Sequence, residues 1–312
     1  MPLYLGHTTA ELLLDALPVE EMEAADTVLL ENCVASRSAM SHLDLHLLED
    51  LPKPYDVLVS SSSELRRWSG VRCHRCPTDL PPKSFIEIAP EVYVASPELC
   101  FVLRAQELSL AKTMMLGSRY CGTFALDTRQ PSGLRQRTPI STPERLISYA
   151  ETAYRLKGSR RAKTAALHVG IGSASPMESA THLLLSLPKR LGGYAFKSPS
   201  LNYAVPLNAR ARRIAGKSYI VIDAFWPDFD YGLEYQGRFS HASDRDIASD
   251  IARQLAADAD GITLQMVTSR QFLDPAQRRY LVQKIAAHIN ERIPRQKGFQ
   301  TRNDDLAQEL FT

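Results

Sequence analysis

The residues of this chain best placed to do chemistry are carboxylates. Asp223 and Glu234 stand in the stretch from Asp223 to His241, DAFWPDFDYGLEYQGRFSH. Two β-type runs, 218–226 and 230–236, flank a Pro-Asp corner, and this spacing predicts a hairpin. Asp223 ends the apolar part of the first run, and Glu234 sits near the end of the second. In an antiparallel pair such positions can lie side by side, with both carboxylates on one face. Solvated acids on an exposed strand face are the plain alternative. Two carboxylates held together at neutral pH need a cation, and a hard divalent ion such as Mg²⁺ or Mn²⁺ suits oxygen ligands best.

A third carboxylate precedes them. Ser175-Pro176-Met177-Glu178 reads as the capped first turn of a helix running to about Leu187, with Leu183, Leu184 and Leu187 toward a core. Taken alone, Glu178 complements the helix dipole. The elements that must position these residues follow in order: a strand over 203–207, an Arg-rich turn over 208–217, the hairpin, and a helix over 245–257. An apolar strand over 262–267 and a closing helix over 275–293 complete the set. A strand-helix-strand order implies a parallel crossover, and the continuous apolar character of 262–267 implies burial on both faces.

Glu178 on a helix, then Asp223, then Glu-x-Gln-Gly with a histidine four residues further on, together with the order α-β-β-β-α-β-α, resembles the PD-(D/E)xK nuclease superfamily. The nearest likeness is to the branch similar to very-short-patch-repair endonucleases. That resemblance implies a restriction-endonuclease-like α/β domain, a mixed sheet flanked by helices, over 144–312. It also implies Mg²⁺-assisted hydrolysis of a phosphodiester, with Asp223, Glu234 and Glu178 as metal ligands and Gln236 and His241 completing the catalytic set. Residue 236 departs from the pattern: the superfamily often has Lys there and the branch more often Asp. Glutamine is neutral and cannot take a proton, but it can orient a water by hydrogen bonding. His241 is the other group that could move a proton.

The first 126 residues predict a smaller α+β domain. Tyr55 to Ser60 is a strand, a capped turn closes on Gly70, and strands follow around 71–75, 85–89 and 92–95 before a helix to about Met115. This half is similar to the abortive-infection antitoxin AbiEi, although the winged helix-turn-helix frequent in such proteins is not evident. Residues 127–143, DTRQPSGLRQRTPISTP, are rich in Pro, Ser, Gly and Arg and read as a linker.

Charge is unevenly distributed behind a net +2. Residues 1–60 hold eleven acidic residues against Arg37 and Lys53, whereas 128–163 hold nine basic residues against Glu144 and Glu151. Between Glu178 and Asp223 there are seven basic residues and no carboxylate. Arg210, Arg212, Arg213 and Lys217 among them are candidates for holding a polyanion. DNA is the expected partner, with RNA left open, and the acidic N-terminal region could dock a protein. An odd cysteine count (33, 73, 76, 100 and 121) argues against a disulfide framework, and the missing second knuckle argues against structural zinc on Cys73-His-Arg-Cys76. The start lacks a basic leader and no apolar run reaches membrane length, so a cytoplasmic protein is expected. Two functions follow: a DNA endonuclease of phage defence or a mobile element, or a non-catalytic AbiEi-like antitoxin or DNA-binding regulator with a degenerate nuclease fold.

Overall fold

Short β-rich runs alternate with helices, many of which begin on a Ser, Thr, Asn or Asp cap. The result is a mixed α/β chain with three sheets and twelve α-helices among the described residues. The computed structural model describes residues 2–22, 30, 33, 35–43, 45–65, 67–236 and 244–312. No helix among them is long and apolar enough to cross a membrane. The chain divides into two compact units, Met1–Val169 and Gly170–Thr312.

The first unit runs β1 (Leu3–Leu5), α1 (His7–Ala16), α2 (Arg37–Met40), β2 (Tyr55–Val59), β3 (Arg67–Trp68), β4 (Val71–Arg75), β5 (Phe85–Ala89) and β6 (Val92–Ala95). It continues through α3 (Pro97–Glu107), α4 (Leu110–Tyr120), β7 (Phe124–Leu126), β8 (Leu134–Gln136), α5 (Pro143–Thr152) and α6 (Ser159–Ala166). Six strands form one sheet in the order β3-β4-β2-β1-β6-β5. The two most central, LYL and YDVLV, are buried along their whole length, as strands covered on both faces must be. Helix α3 is itself buried from Pro97 to Leu103. It therefore needs cover on several sides, which α1, α4, α5 and α6 supply.

That demand moves the boundary expected at 127–143. Residues 134–136 pair with 124–126 as a small antiparallel ribbon. Arg137 is buried and donates from its guanidinium to the carbonyls of Leu14 (2.9 Å) and Arg119 (3.2 Å). Ser141 donates to Glu98 at 2.7 Å. The Pro- and Arg-rich composition belongs to a segment built into the first unit, and the division falls at 169/170 instead.

The second unit runs α7 (Pro176–Ser186), β9 (Ser200–Pro206), α8 (Ala209–Ala215), β10 (Tyr219–Trp226), β11 (Tyr231–Tyr235), α9 (Asp244–Ala259), β12 (Thr263–Val267), α10 (Ser269–Leu273), α11 (Pro275–His288) and α12 (Phe299–Phe311). The expected hairpin is β10–β11, antiparallel with Ala224 opposite Leu233, and the expected crossover is the parallel pairing of β11 with β12. Two expectations change. The Arg-rich turn contains a short helix, α8, because Asn208 caps it by accepting from Arg210 N and Ala211 N, both at 2.9 Å. Strand β12 ends the sheet order β12-β11-β10-β9, so it lies on an edge and is only partly buried.

Neighbouring residues on a strand face opposite sides, and the sheet is covered on both. Gly232 lies against Ile222, Phe225 and Leu264, in the cluster shared with Ala211 of α8 and Ala256 of α9. Tyr231 faces the other way and stacks on His288 of α11 at 4.5 Å. Beneath that layer Arg278 is fully buried, donating to the carbonyls of Phe272 (2.6 Å) and Leu273 (3.2 Å), to Asn303 (3.0 Å) and to Asp304. A single guanidinium thus ties α10, α11 and α12 together. Replacing it by a similar-sized apolar chain, Arg278→Met, strands those acceptors. The change should cost the second unit about 3–5 kcal/mol, read as a lower urea midpoint; an unchanged midpoint would refute this role.

Candidate functional site

Helix α7 starts where Ser175 accepts from Glu178 N at 3.2 Å, with Pro176 already holding the helical φ. Glu178 reciprocates as in a capping box, accepting from Ser175 Oγ (2.8 Å) on Oε1 and from Ala174 N (2.7 Å) on Oε2. Its Oε2 also accepts from Asn202 Nδ2 at 2.6 Å. Each carboxylate oxygen has room for about two donors. Oε2 is therefore full, while Oε1 keeps one position open.

Asn202 reaches Glu178 because of where β9 puts it. The pairs Ile222–Tyr203 and Ala224–Leu201 bracket Asp223 directly opposite Asn202. Asn202 adopts φ +47°, a left-handed conformation that asparagine tolerates better than most residues. A second donation from its Nδ2, to Gly172 O at 2.9 Å, fixes the amide.

Asp223 and Glu234 lie one step beyond the pair Ala224–Leu233, hence next to each other across the ladder. At this point the Asp223 side chain takes over from the main chain: its Oδ2 accepts from Tyr235 N at 2.7 Å. Among the described residues its Oδ1 accepts no hydrogen bond. Glu234 is 5% exposed and forms an ion pair with Arg253 of α9. Burial pushes both the Glu178 and the Asp223 carboxyls above their ordinary range. For Glu178 the nearby Asp223 charge adds to the rise; for Asp223 the Tyr235 N–H and Arg253 oppose it.

Three of the expected site residues are thus gathered on α7, β10 and β11, but they do not act as one ligand set. Glu178, Asp223 and Glu234 do not bring one oxygen each within 4.8 Å of one another. Glu234 is instead paired with Arg253. Gln236 is exposed just after β11, its N–H on Val267 O at 2.8 Å. His241 lies outside the described residues. Arg210, Arg212, Arg213 and Lys217 are all exposed. Arg212 spends its Nε on Leu207 O at 2.6 Å, while Arg210, Arg213 and Lys217 form no ion pair among the described residues. Exposed Tyr203, Ile214 and Tyr219 belong to the same run of elements, β9 through β10.

Two side chains that contact these carboxylates have no mark in the sequence motif. Asn202 could have been found from an isolated asparagine in an otherwise strand-like run; Arg253 carries no such signal. The cysteines also resolve: Cys76, Cys100 and Cys121 are buried, and burial pushes each thiol up to about 12, as for small core residues.

The donor chemistry fits a hard divalent ion at Asp223 and Glu178: a half-buried and a buried carboxylate, both raised by burial, each with an oxygen that accepts no second hydrogen bond among the described residues. No family model, no curated protein and no solved structure matches this chain.

A carboxylate whose folded pKa is raised is penalised when ionised. Its cost to stability is full at neutral pH and relieved as pH falls through the folded value toward the unfolded one. Asp223→Asn keeps an acceptor for Tyr235 N but removes the charge. It should raise Tm near neutral pH, with the gain shrinking as acid protonates the wild type. A pH series of thermal melts reads this, and a lower Tm for the variant at neutral pH would contradict it.

Proposed function

We propose that the second unit is a metal-dependent endonuclease of the PD-(D/E)xK type, acting on phosphodiester bonds of DNA. The observation that carries this reading is the placement of Asp223, midway along β10, near Glu178 in the first turn of α7, with Asn202 opposite the one and bonded to the other. Such a pair is costly as structure and useful as a cation seat. Asp223 and Glu178 would hold Mg²⁺ or Mn²⁺, and the bound ion would supply positive charge to a phosphate oxygen and lower the pKa of a water.

The chain's own residues do the rest. Asn202 and Ser175 fix the Glu178 carboxylate, and Tyr235 N–H fixes that of Asp223. Arg253 pairs with Glu234 and keeps a cationic group in the site, where the sequence motif has only neutral Gln236. Gln236, exposed two residues beyond Glu234, can orient a water through its amide. The exposed cations Arg210, Arg213 and Lys217, which form no ion pair among the described residues and are flanked in sequence by exposed Tyr203 and Tyr219, suit a nucleic-acid backbone and its bases. Phage defence or a mobile element is the proposed setting, and the cytoplasm the proposed compartment.

One observation favours a second reading, a non-catalytic AbiEi-like antitoxin or DNA-binding regulator. The Arg253–Glu234 pair already neutralises one acid of the site. A plasmid-nicking assay with Mg²⁺ or Mn²⁺ separates the two. The nuclease reading expects nicking that chelator stops, that Asp223→Ala and Glu234→Ala abolish, and that Arg253→Ala slows about 10–100-fold, as for an outer-sphere partner. No cleavage of duplex, single-stranded or RNA substrates, together with no bound Mg²⁺ or Mn²⁺, would leave the regulator. Under either reading Arg213→Ala should lower the salt slope of DNA binding by about one, one phosphate contact being lost; an unchanged slope would remove Arg213 from the interface.

A further inference from the structure

The first unit carries a second cluster of ligand-type side chains, which the nuclease reading leaves unused. His7 opens α1, His74 lies in β4 and Glu107 ends α3, and one ligand atom from each lies within 4.8 Å of the other two. The two imidazoles stack, ring centres 3.8 Å apart and planes 21° from parallel. His7 is 3% exposed. Its Nδ1 lies 2.7 Å from Glu107 Oε1, yet the contact is poorly aligned, and this buried nitrogen makes no hydrogen bond. His7 is also held at φ +49°, an uncommon conformation for a residue with a side chain and one found often at functional positions.

We propose that His7, His74 and Glu107 form a binding site for a divalent transition-metal ion such as Zn²⁺, with two imidazole ligands, one carboxylate and an open position on the exposed Glu107 side. Two imidazoles and a carboxylate select a borderline ion, in contrast to the oxygen-only donors of Asp223 and Glu178. The surroundings are those of a built site. Asp56, 2% exposed, can only accept, so His74 Nε2, 2.7 Å away, carries the proton and its Nδ1 is free to bind metal. Arg72 Nε holds the same Asp56 oxygen at 2.8 Å. Arg104 anchors Glu107, and Glu11 in turn anchors Arg104 at 2.6 Å. Carboxylates that orient ligating histidines, themselves held by further charges, are the outer sphere such ions require. Stacked rings direct their lone pairs side by side, so ligation must tilt the rings apart.

The test uses the full-length chain, stripped of metal and titrated with Zn²⁺ by calorimetry and with Co²⁺ by visible absorption. The expected result is one Zn²⁺ per chain that persists in Asp223→Asn, with Co²⁺ giving d–d bands and no thiolate charge-transfer band. His74→Phe, which keeps a ring in the stack, should abolish that equivalent. Glu107→Gln, at an exposed position that the fold does not depend on, should weaken it at least about tenfold. Asp56→Asn, which leaves all three ligands, should weaken it about 10–100-fold. Circular dichroism identifies any variant that fails to fold, and Glu107→Gln then decides. The proposal falls if the wild type takes up no stoichiometric Zn²⁺, if Glu107→Gln and His74→Phe bind as the wild type does, or if Co²⁺ reports thiolate ligation.

Discussion

An ionised carboxylate taken out of water costs several kcal/mol unless donors or cations meet it. Both units of this chain are arranged around that requirement. In the first, Glu11 is met by Arg104 and Arg119, Asp15 by Arg119 at 3.2 Å, and Asp56 by Arg72 and His74. Although burial works against it, Arg119 and then Arg104 hold the Glu11 carboxyl below its ordinary value. In the second unit the compensation is uneven. Glu234 has a guanidinium and Glu178 three donors, whereas Asp223 has, among the described residues, the Tyr235 N–H and the charge of Arg253. Among the described residues, Glu178 and Asp223 each keep an oxygen with room for a further donor.

The same requirement explains the charge asymmetry of the sequence. Acids clustered in 1–60 and bases clustered in 128–163 suggest two surfaces aimed at two partners. In the structure several of them aim at each other: Arg135 donates to the carbonyls of Asp15 (2.8 Å) and Leu17 (3.3 Å), and Arg137 reaches Asp15 at 3.6 Å. Others pair within the basic half, such as Lys163 with Glu151. The acidic stretch therefore offers less free charge for docking than its composition implies. On α8, Arg210 and Arg213 form no ion pair among the described residues, and the sequence between Glu178 and Asp223 holds no acid.

Elements set by local signals were legible. Ser175-Pro176 marks the start of α7, the Pro-Asp corner marks the hairpin, and the helix between two apolar strands marks the parallel crossover. Each depends on residues within a few positions of one another. The built-in segment 127–143 was not legible, because what makes it structural is Arg137 meeting carbonyls of residues 14 and 119, far away along the chain. The site divides along the same line. Glu178, Asp223 and Glu234 could be chosen from residue type and order. Asn202 is marked only as an asparagine in a strand-like run, and Arg253 not at all, because their significance lies in the partners that register and helix packing bring to them. Gly232 lies against Ile222, ten residues away, and that approach is not encoded next to the glycine.

Asn202 has one more effect. Strand β9 is the outer strand of its sheet, with Ser200 to Pro206 paired on one side only. A straight edge of this kind invites another chain to add a strand. The left-handed turn at Asn202 interrupts the regular row of outward N–H and C=O groups midway, and Pro206 removes a donor at its end. The residue that secures Glu178 therefore also makes the sheet a poor template for self-association.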